Sequence, residues 1–248
     1  MGIKIGADVI QALYIGERKI VKAYAGETLV FAAGKPSRLP AGYTEVEYTQ
    51  LGPNNASLYN FSAASCLTDQ TIELDVEIIT FPTSDATLHS DRPCLLYSYA
   101  VSGNTQYVRN ALWLSKKGVY AGVSTGTIAP KGIQLSSDLT VPQRASILWD
   151  GPNKCVSING GTPVAFPAYG VGSSWLIGST SAGTASNNCW RAACARIYSL
   201  KITSDGNTGG SYNKNYVPAK DSAGRAGFYD LFNSKFIYHA SLIAGPVV

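Results

Sequence analysis

Glu73-Leu74-Asp75-Val76-Glu77 is the stretch whose residue types and spacing come nearest to chemistry. Three carboxylates on alternate positions of an extended segment share one face. In glycoside hydrolysis, Glu73 and Glu77 would serve as nucleophile and acid, with Asp75 between them tuning their ionisation. Retaining hydrolysis needs carboxyl groups ~5–5.5 Å apart. Residues i and i+4 of a strand are ~13 Å apart by rise, so the two side chains would have to converge. The plainer reading is the polar face of a half-buried strand, with Thr71, Glu73, Asp75 and Glu77 outside and Ile72, Leu74, Val76 and Ile78 inside.

Other reactive residues are scattered. His89 and His239 have no Cys or carboxylate spaced to form a metal site or a triad. Asp85, Asp91 and Asp138 fall in loop-like sequence, where they read either as calcium ligands or, more plainly, as solvated carboxylates. We therefore expect no metal and no cofactor. The five cysteines (Cys66, Cys94, Cys155, Cys189, Cys194) are odd in number and lack a Cys-x-x-Cys pair. They read as buried free thiols, with a Cys189–Cys194 bridge as the alternative. Trp113, Trp149 and Trp175 stand in apolar strand contexts and are expected in the core. Trp190 differs, being preceded by Asn187, Asn188 and Cys189 and followed by Arg191. With Tyr107, Arg109 and Asn110, these residues (Asn187, Asn188, Trp190, Arg191) form a candidate glycan-facing set, because aromatic, amide and guanidinium groups suit a polar sugar. A core or subunit-interface reading stands beside it.

The elements that must position these residues are strands. Residues 1–33 carry a ten-residue repeat, in which Leu13-Tyr14-Ile15-Gly16-Glu17 is answered by Ala23-Tyr24-Ala25-Gly26-Glu27. Each unit reads as strand, Gly-Glu turn and strand, together a small β-meander. A linker-like stretch at Ala33–Ser37 leads to a turn at Pro40–Gly42, with Tyr43 ending the turn and Tyr48 inside the following strand. Further strands are expected at 71–79, 93–101, 107–114, 120–124, 145–149, 155–158, 175–178 and 195–202. No segment of helical length shows a 3.6 period. Many short strands bounded by turns mean a sandwich or barrel. We place a meander module at 1–35 and the main domain at 36–248.

Composition narrows the function. The chain has 248 residues, 45% hydrophobic and only 15% charged. Its net charge of +4 divides evenly, with five basic against three acidic residues in 1–35 and fifteen against thirteen beyond. No clustered basic face emerges, so nucleic acid is not an expected partner. No apolar run approaches the ~18 residues of a membrane span, and residues 1–8 lack the apolar core of a signal peptide. We expect neither membrane insertion nor a cleaved leader.

The Asn159-Gly160 hairpin, Leu176-Ile177-Gly178 and Ala195-Arg196-Ile197-Tyr198-Ser199-Leu200-Lys201-Ile202 together resemble the concanavalin A-like, laminin-G-type jelly roll. Leu39-Pro40-Ala41-Gly42-Tyr43 through Tyr48 resembles the entry motif of such domains in bacteriophage tail and prophage structural proteins. Tyr216-Val217-Pro218-Ala219 and Gly227-Phe228-Tyr229-Asp230-Leu231-Phe232-Asn233-Ser234-Lys235-Phe236 resemble their closing motif. The repeat in 1–33 is similar to the small N-terminal modules of tail proteins. The run Thr49–Asn54 and the loop 180–194 depart from the pattern.

The resemblance implies an all-β, non-enzymatic virion protein made in the host cytoplasm, a tail or receptor-binding component that binds host-surface glycan. Residues 1–35 would contact other virion proteins or make a homo-oligomer. The alternatives are a capsid decoration or head-fibre protein, and a glycan hydrolase using Glu73 and Glu77. The aromatics of the closing stretch (Tyr198, Tyr216, Phe228, Tyr229, Phe232, Phe236) are expected to pack rather than bind.

Overall fold

Apolar residues on alternate positions turn the chain into strands that each bury one face. The computed structural model describes residues 4–5, 8–9, 13–15, 18–20, 22–25, 28–32, 38–51, 61–64, 69–80, 93–102, 105–115, 118–123, 131–136, 141–165, 174–177, 191–204, 206, 212–240 and 242–248. Among them every regular element is a strand. Hairpins come first: β1 (Lys4–Ile5) with β2 (Asp8–Val9), β3 (Leu13–Ile15) with β4 (Arg18–Ile20), and β5 (Lys22–Ala25) with β6 (Thr28–Ala32). Each unit of the ten-residue repeat thus folds as a hairpin, but among the described residues the hairpins are separate two-stranded sheets and not the single meander expected, because no strand of one pairs with a strand of the next.

Then follow β7 (Tyr43–Glu45), β8 (Thr49–Leu51), β9 (Phe61–Ala64), β10 (Gln70–Ile78), β11 (Pro93–Ser102), β12 (Thr105–Ser115), β13 (Gly118–Val123) and β14 (Lys131–Ser136). Next come β15 (Gln143–Asp150), β16 (Cys155–Ile158), β17 (Val164–Ala165), β18 (Ser174–Ile177) and β19 (Arg191–Ala192). The last strands are β20 (Ala195–Ser204), β21 (Lys214–Asp221), β22 (Ala226–Asp230), β23 (Lys235–Tyr238) and β24 (Ile243–Ala244).

These strands make two sheets. The larger runs β17-β16-β15-β10-β20-β21-β22-β23, with β7, β8 and β24 attached to it. The smaller runs β14-β13-β12-β11-β18-β9, with β19 lying parallel to β11. The chain crosses between sheets after β8, β9, β10, β14, β17 and β19, the winding of a jelly-roll sandwich. The expected all-β architecture is therefore the one observed. Asn159 and Gly160, between β16 and β17, both take positive φ (52° and 67°), as a tight Asn-Gly turn requires.

One apolar core fills the space between the sheets. Ile72, Leu74, Val76 and Ile78 of β10 meet Leu96, Leu112 and Ile177 from the smaller sheet. At its centre Trp149 of β15 and Trp175 of β18 meet edge to face, centroids 5.5 Å apart. Trp175 Nε1 donates to Gln70 Oε1 at 2.8 Å, and Gln70 Nε2 donates to the Tyr212 carbonyl at 3.1 Å. A buried indole N–H on one sheet is thus satisfied by an amide on the other.

The smaller sheet is buried on its other face as well, through Cys94, Tyr97, Ala111 and Trp113. Tyr120 stacks on Trp113 with centroids 5.9 Å apart. Burial on both faces explains why Cys94–Tyr97 and Ala111–Leu114 read as continuous apolar runs instead of alternating. Trp113, Trp149 and Trp175 are all in the core, as expected.

The segments at residues 39–48 and 216–236 pack on each other in a separate cluster of Leu39, Val217, Ala219 and Tyr229, joined by Tyr43, Leu231 and Phe236. Tyr43 lies 4.9 Å from the Tyr229 ring and 5.1 Å from Phe236. A Cβ on Gly227 would sit 2.0 Å from the Ile237 carbonyl oxygen, so β22 and β23 meet there only because residue 227 has no side chain. Tyr43 begins β7 instead of ending the turn, and Tyr48 lies outside any strand. The chain breaks at Glu47 because it changes partners there, from β21 to β20. Phe232, expected to pack, is 52% exposed. It sits in the turn between β22 and β23, where its own N–H donates to Asp230 Oδ1 (3.1 Å).

Replacing Gln70 by Leu strands the Trp175 N–H in the core and should cost about 1–3 kcal/mol in urea unfolding. Trp175→Phe removes that donor. A double variant that loses much less than the sum of the two singles will establish the bond between the sheets; additive losses would remove it as a determinant of stability.

Candidate functional site

On the solvent face of the larger sheet, each carboxylate of the β10 triplet is tied to a cation on a neighbouring strand. Glu73 Oε1 accepts from Lys201 Nζ at 2.9 Å. Asp75 takes both arms of Arg144, Nε to Oδ1 at 2.8 Å and Nη2 to Oδ2 at 2.7 Å. Glu77 Oε2 accepts from Arg196 Nη1 at 2.8 Å and from the Tyr198 hydroxyl at 3.2 Å. Lys201 stands opposite Glu73 and Arg196 opposite Glu77, so each outer carboxylate is held over its own rung of β20. β10 runs unbroken from Gln70 to Ile78, which leaves Glu73 and Glu77 the ~13 Å apart that strand rise dictates. These carboxylates form an ionic row across the sheet, not a converging pair.

The guanidiniums are also set against rings. Arg144 lies 3.8 Å over Tyr198 and Arg196 lies 4.6 Å over Tyr48, while Tyr48 and Tyr198 meet edge to face at 5.7 Å. Hydrogen bonding to Asp75 and to Glu77 raises the pKa of Arg144 and of Arg196, so both stay charged. Burial, followed by the Glu77 charge, pushes the Tyr198 phenol up.

Tyr198 sits at a bulge. Asp75 pairs with Ser199 and Val76 with Ile197, so Tyr198 is an extra residue in β20. A bulge of this kind re-aims one side chain and bends the strand. Next to it the larger sheet forks. β20 and β21 pair only over Leu200–Ile202 and Lys214–Tyr216. Beyond the fork β8 continues along β20, and β7 continues along β21. Val46 N donates to the Pro218 carbonyl at 3.1 Å, and Glu47 N donates to that of Pro246 at 2.8 Å. Segment 43–51 is therefore a wedge driven into the fork.

A groove of about 520 Å³ lies at this wedge, walled by Arg38, Glu45, Glu47, Asp75, Arg144 and Tyr198, with Val46, Pro218, Val247 and Val248 as its apolar part. Arg38 is paired with Glu45. Its volume falls within the roughly 300–1,000 Å³ of small-ligand clefts. Spacing in the sequence could not reveal it, because its walls come from separate stretches of chain. The one local signal is the slip in apolar parity from Ile197 to Leu200, which marks the bulge.

The residues singled out from the sequence are placed differently. Asn110 is buried in β12, its Nδ2 donating to Ser98 Oγ at 2.8 Å, and an amide held there does not meet solvent. Tyr107 pairs with Ala100 of β11, and Arg109 falls at a register shift beside Asn110. Arg191 begins β19 opposite Pro93. Positions 93 and 100 are ~23 Å apart along β11 by rise, so the backbone does not gather Tyr107 and Arg191 at one point. Asn187, Asn188 and Trp190 lie outside the described residues, as do His89, Asp85, Asp91 and Asp138. Cys94, Cys155 and Cys194 are free thiols, so Cys194 forms no bridge with Cys189; Cys66 and Cys189 lie outside the described residues. Among the described residues no group of three or more His, Cys, Asp or Glu side chains could hold a metal ion. No described helix is long and apolar enough to cross a membrane.

No known family model matches the chain, and no curated protein matches it. Among solved structures, the chain is similar to the native heptameric SAP-like pentraxin of Limulus polyphemus, with a TM-score of 0.47 and 11% identity. The match covers 82% of this chain and 96% of that one.

The Tyr198 phenol gives a pH-dependent test. A phenol whose pKa is higher folded than unfolded contributes stability that is complete below about pH 10 and is lost as pH rises through the folded value. In the protein labelled with ζ-13C tyrosine, the resonance absent from Tyr198→Phe should titrate above the ordinary tyrosine range. Glu77→Gln should lower that value without restoring it fully, because burial remains. A Tyr198 resonance titrating in the ordinary range would remove the coupling.

Proposed function

We propose that the chain is a non-catalytic structural protein of a bacteriophage particle, a tail or receptor-binding component whose jelly roll binds host-surface glycan. The observation that carries this reading is the clasp between residues 39–48 and 216–236. Those two segments in combination resemble the entry and closing motifs of phage tail domains, and they fold into one unit. The ionic row on β10 supports a binding role over hydrolysis, since Glu73, Asp75 and Glu77 are each held by a separate cation. In this reading the protein is assembled in the host cytoplasm, and residues 1–35 join it to other virion proteins or to further copies of itself. Several weak sites on one particle then gain avidity, by 10²- to 10⁴-fold as an order of magnitude.

The reading is tested on a printed array of bacterial surface oligosaccharides. The full chain should be retained by a subset of glycans, and the double variant Glu73→Gln/Glu77→Gln should be retained equally without either protein releasing reducing sugar. Sugar release that the double variant abolishes would make the chain a hydrolase. Antibody labelling of particles in electron micrographs should mark the tail; labelling of the head would make it a capsid decoration or head-fibre protein. Mass photometry should show a larger assembly for the full chain than for one lacking residues 1–35, and equal subunit numbers would exclude 1–35 as the oligomerising element.

A further inference from the structure

We propose that the groove at the fork of the larger sheet is the glycan site, and that it takes an uncharged stretch of sugar chain, bound through Glu47 and the Arg144–Asp75 pair. The inference rests on the glycan-binding reading and moves the site from the 107–110 and 187–191 stretches to the sheet face.

The pairing of the wall's charges argues for a neutral ligand, with Glu47 alone, among the described residues, outside a pair and already acting on Arg144. Arg38 is paired with Glu45, and Arg144 with Asp75. An anion in the groove would face Glu45, Glu47 and Asp75, and a cation would face Arg38 and Arg144, so either must break a pair or meet its own sign. A sugar hydroxyl both donates and accepts. It can give a proton to an unused carboxylate lone pair while taking one from a guanidinium N–H, and leave both pairs intact. Bidentate pairing on Asp75 and the ring beneath it hold the Arg144 plane still. The hydrogen bonds to a ligand would then form without ordering a long side chain, which is the main cost at a flexible site. Glu47 is exposed and makes no ion pair among the described residues, while its charge acts on both Arg144 and Tyr198. It is the acceptor in the wall not already committed to an arginine. Val247 and Val248, 59% and 46% exposed, offer apolar surface to the C–H face of a ring.

A second observation points the same way. The bulge in β20 falls at Tyr198 and Ser199, and Tyr198 lines the groove. Extra residues of this kind recur beside binding sites, where they redirect a side chain.

The test uses the full chain on the same oligosaccharide array, which carries neutral, acidic and amino sugars. Glu47→Gln and Arg144→Ala should each lower retention on neutral glycans roughly ten-fold or more, the loss expected for a hydrogen bond to a charged group. Lys201→Ala, which removes a charge from the same face outside the groove, should bind as the parent does. Circular dichroism melts separate lost binding from lost folding. Should Arg144→Ala fail to fold, Glu47→Gln decides alone, since it disturbs no ion pair. Parent-like retention of the groove variants would overturn the groove as the site and leave the glycan reading standing. Retention only on acidic or amino sugars would overturn the neutral class. Failure of the full chain to be retained by any glycan would overturn both.

Discussion

The hydrogen bond from Trp175 to Gln70 fixes how the two sheets lie on each other. Apolar burial alone is non-directional and would tolerate many offsets between two greasy faces. An indole N–H in that core tolerates few, because leaving it unmade costs more than any gain from sliding. With Trp175 held, Trp149 meets it edge to face, and β10, β15 and β18 acquire their relative positions. The ionic row follows on the far side of β10, since its outward residues are placed by the inward ones.

The wedge of residues 43–51 depends on that arrangement. Where β20 bends at its bulge it leaves β21, and the opening would expose unpaired strand edges of the kind that invite aggregation. Segment 43–51 covers both edges, pairing with β21 on one side and β20 on the other. Thr49 Oγ1 adds a bond to the Gly227 carbonyl at 2.7 Å. The groove is the space left over where the wedge changes partners, and Asp75, Arg144 and Tyr198 of its wall are fixed by sheet geometry.

How much of this was legible depends on whether a feature is local. The alternation of Ile72 to Ile78, the Asn159-Gly160 turn and the hairpin in each unit of the repeat are written in neighbouring residues and read correctly, whereas the single meander does not follow from them. The packing of Tyr216, Phe228 and Tyr229 also read correctly. Tyr198 did not: it stands two residues from Arg196, on the ionic face, where it packs on Arg144 instead of closing the core. Asn110 looked ligand-facing from its type and neighbours, yet its partner Ser98 sits across a hairpin in the interior. The groove was invisible for a stronger reason: Glu47, Asp75, Arg144 and Tyr198 become neighbours only through pairing of strands distant in the chain.

The wedge also sets an order of events. Thr49 finds its partner Gly227 at a separation of 178 residues, and Val46 pairs with Val247. Contacts this remote are slow to form, because the loop they close is long and its entropy is lost before the contact is gained. A chain emerging from the ribosome has β7 and β8 ready early and nowhere to put them. The groove takes its walls from both ends of that separation, Glu45 to Glu47 on one side and Pro218, Val247 and Val248 on the other, so it exists only once these remote contacts are made.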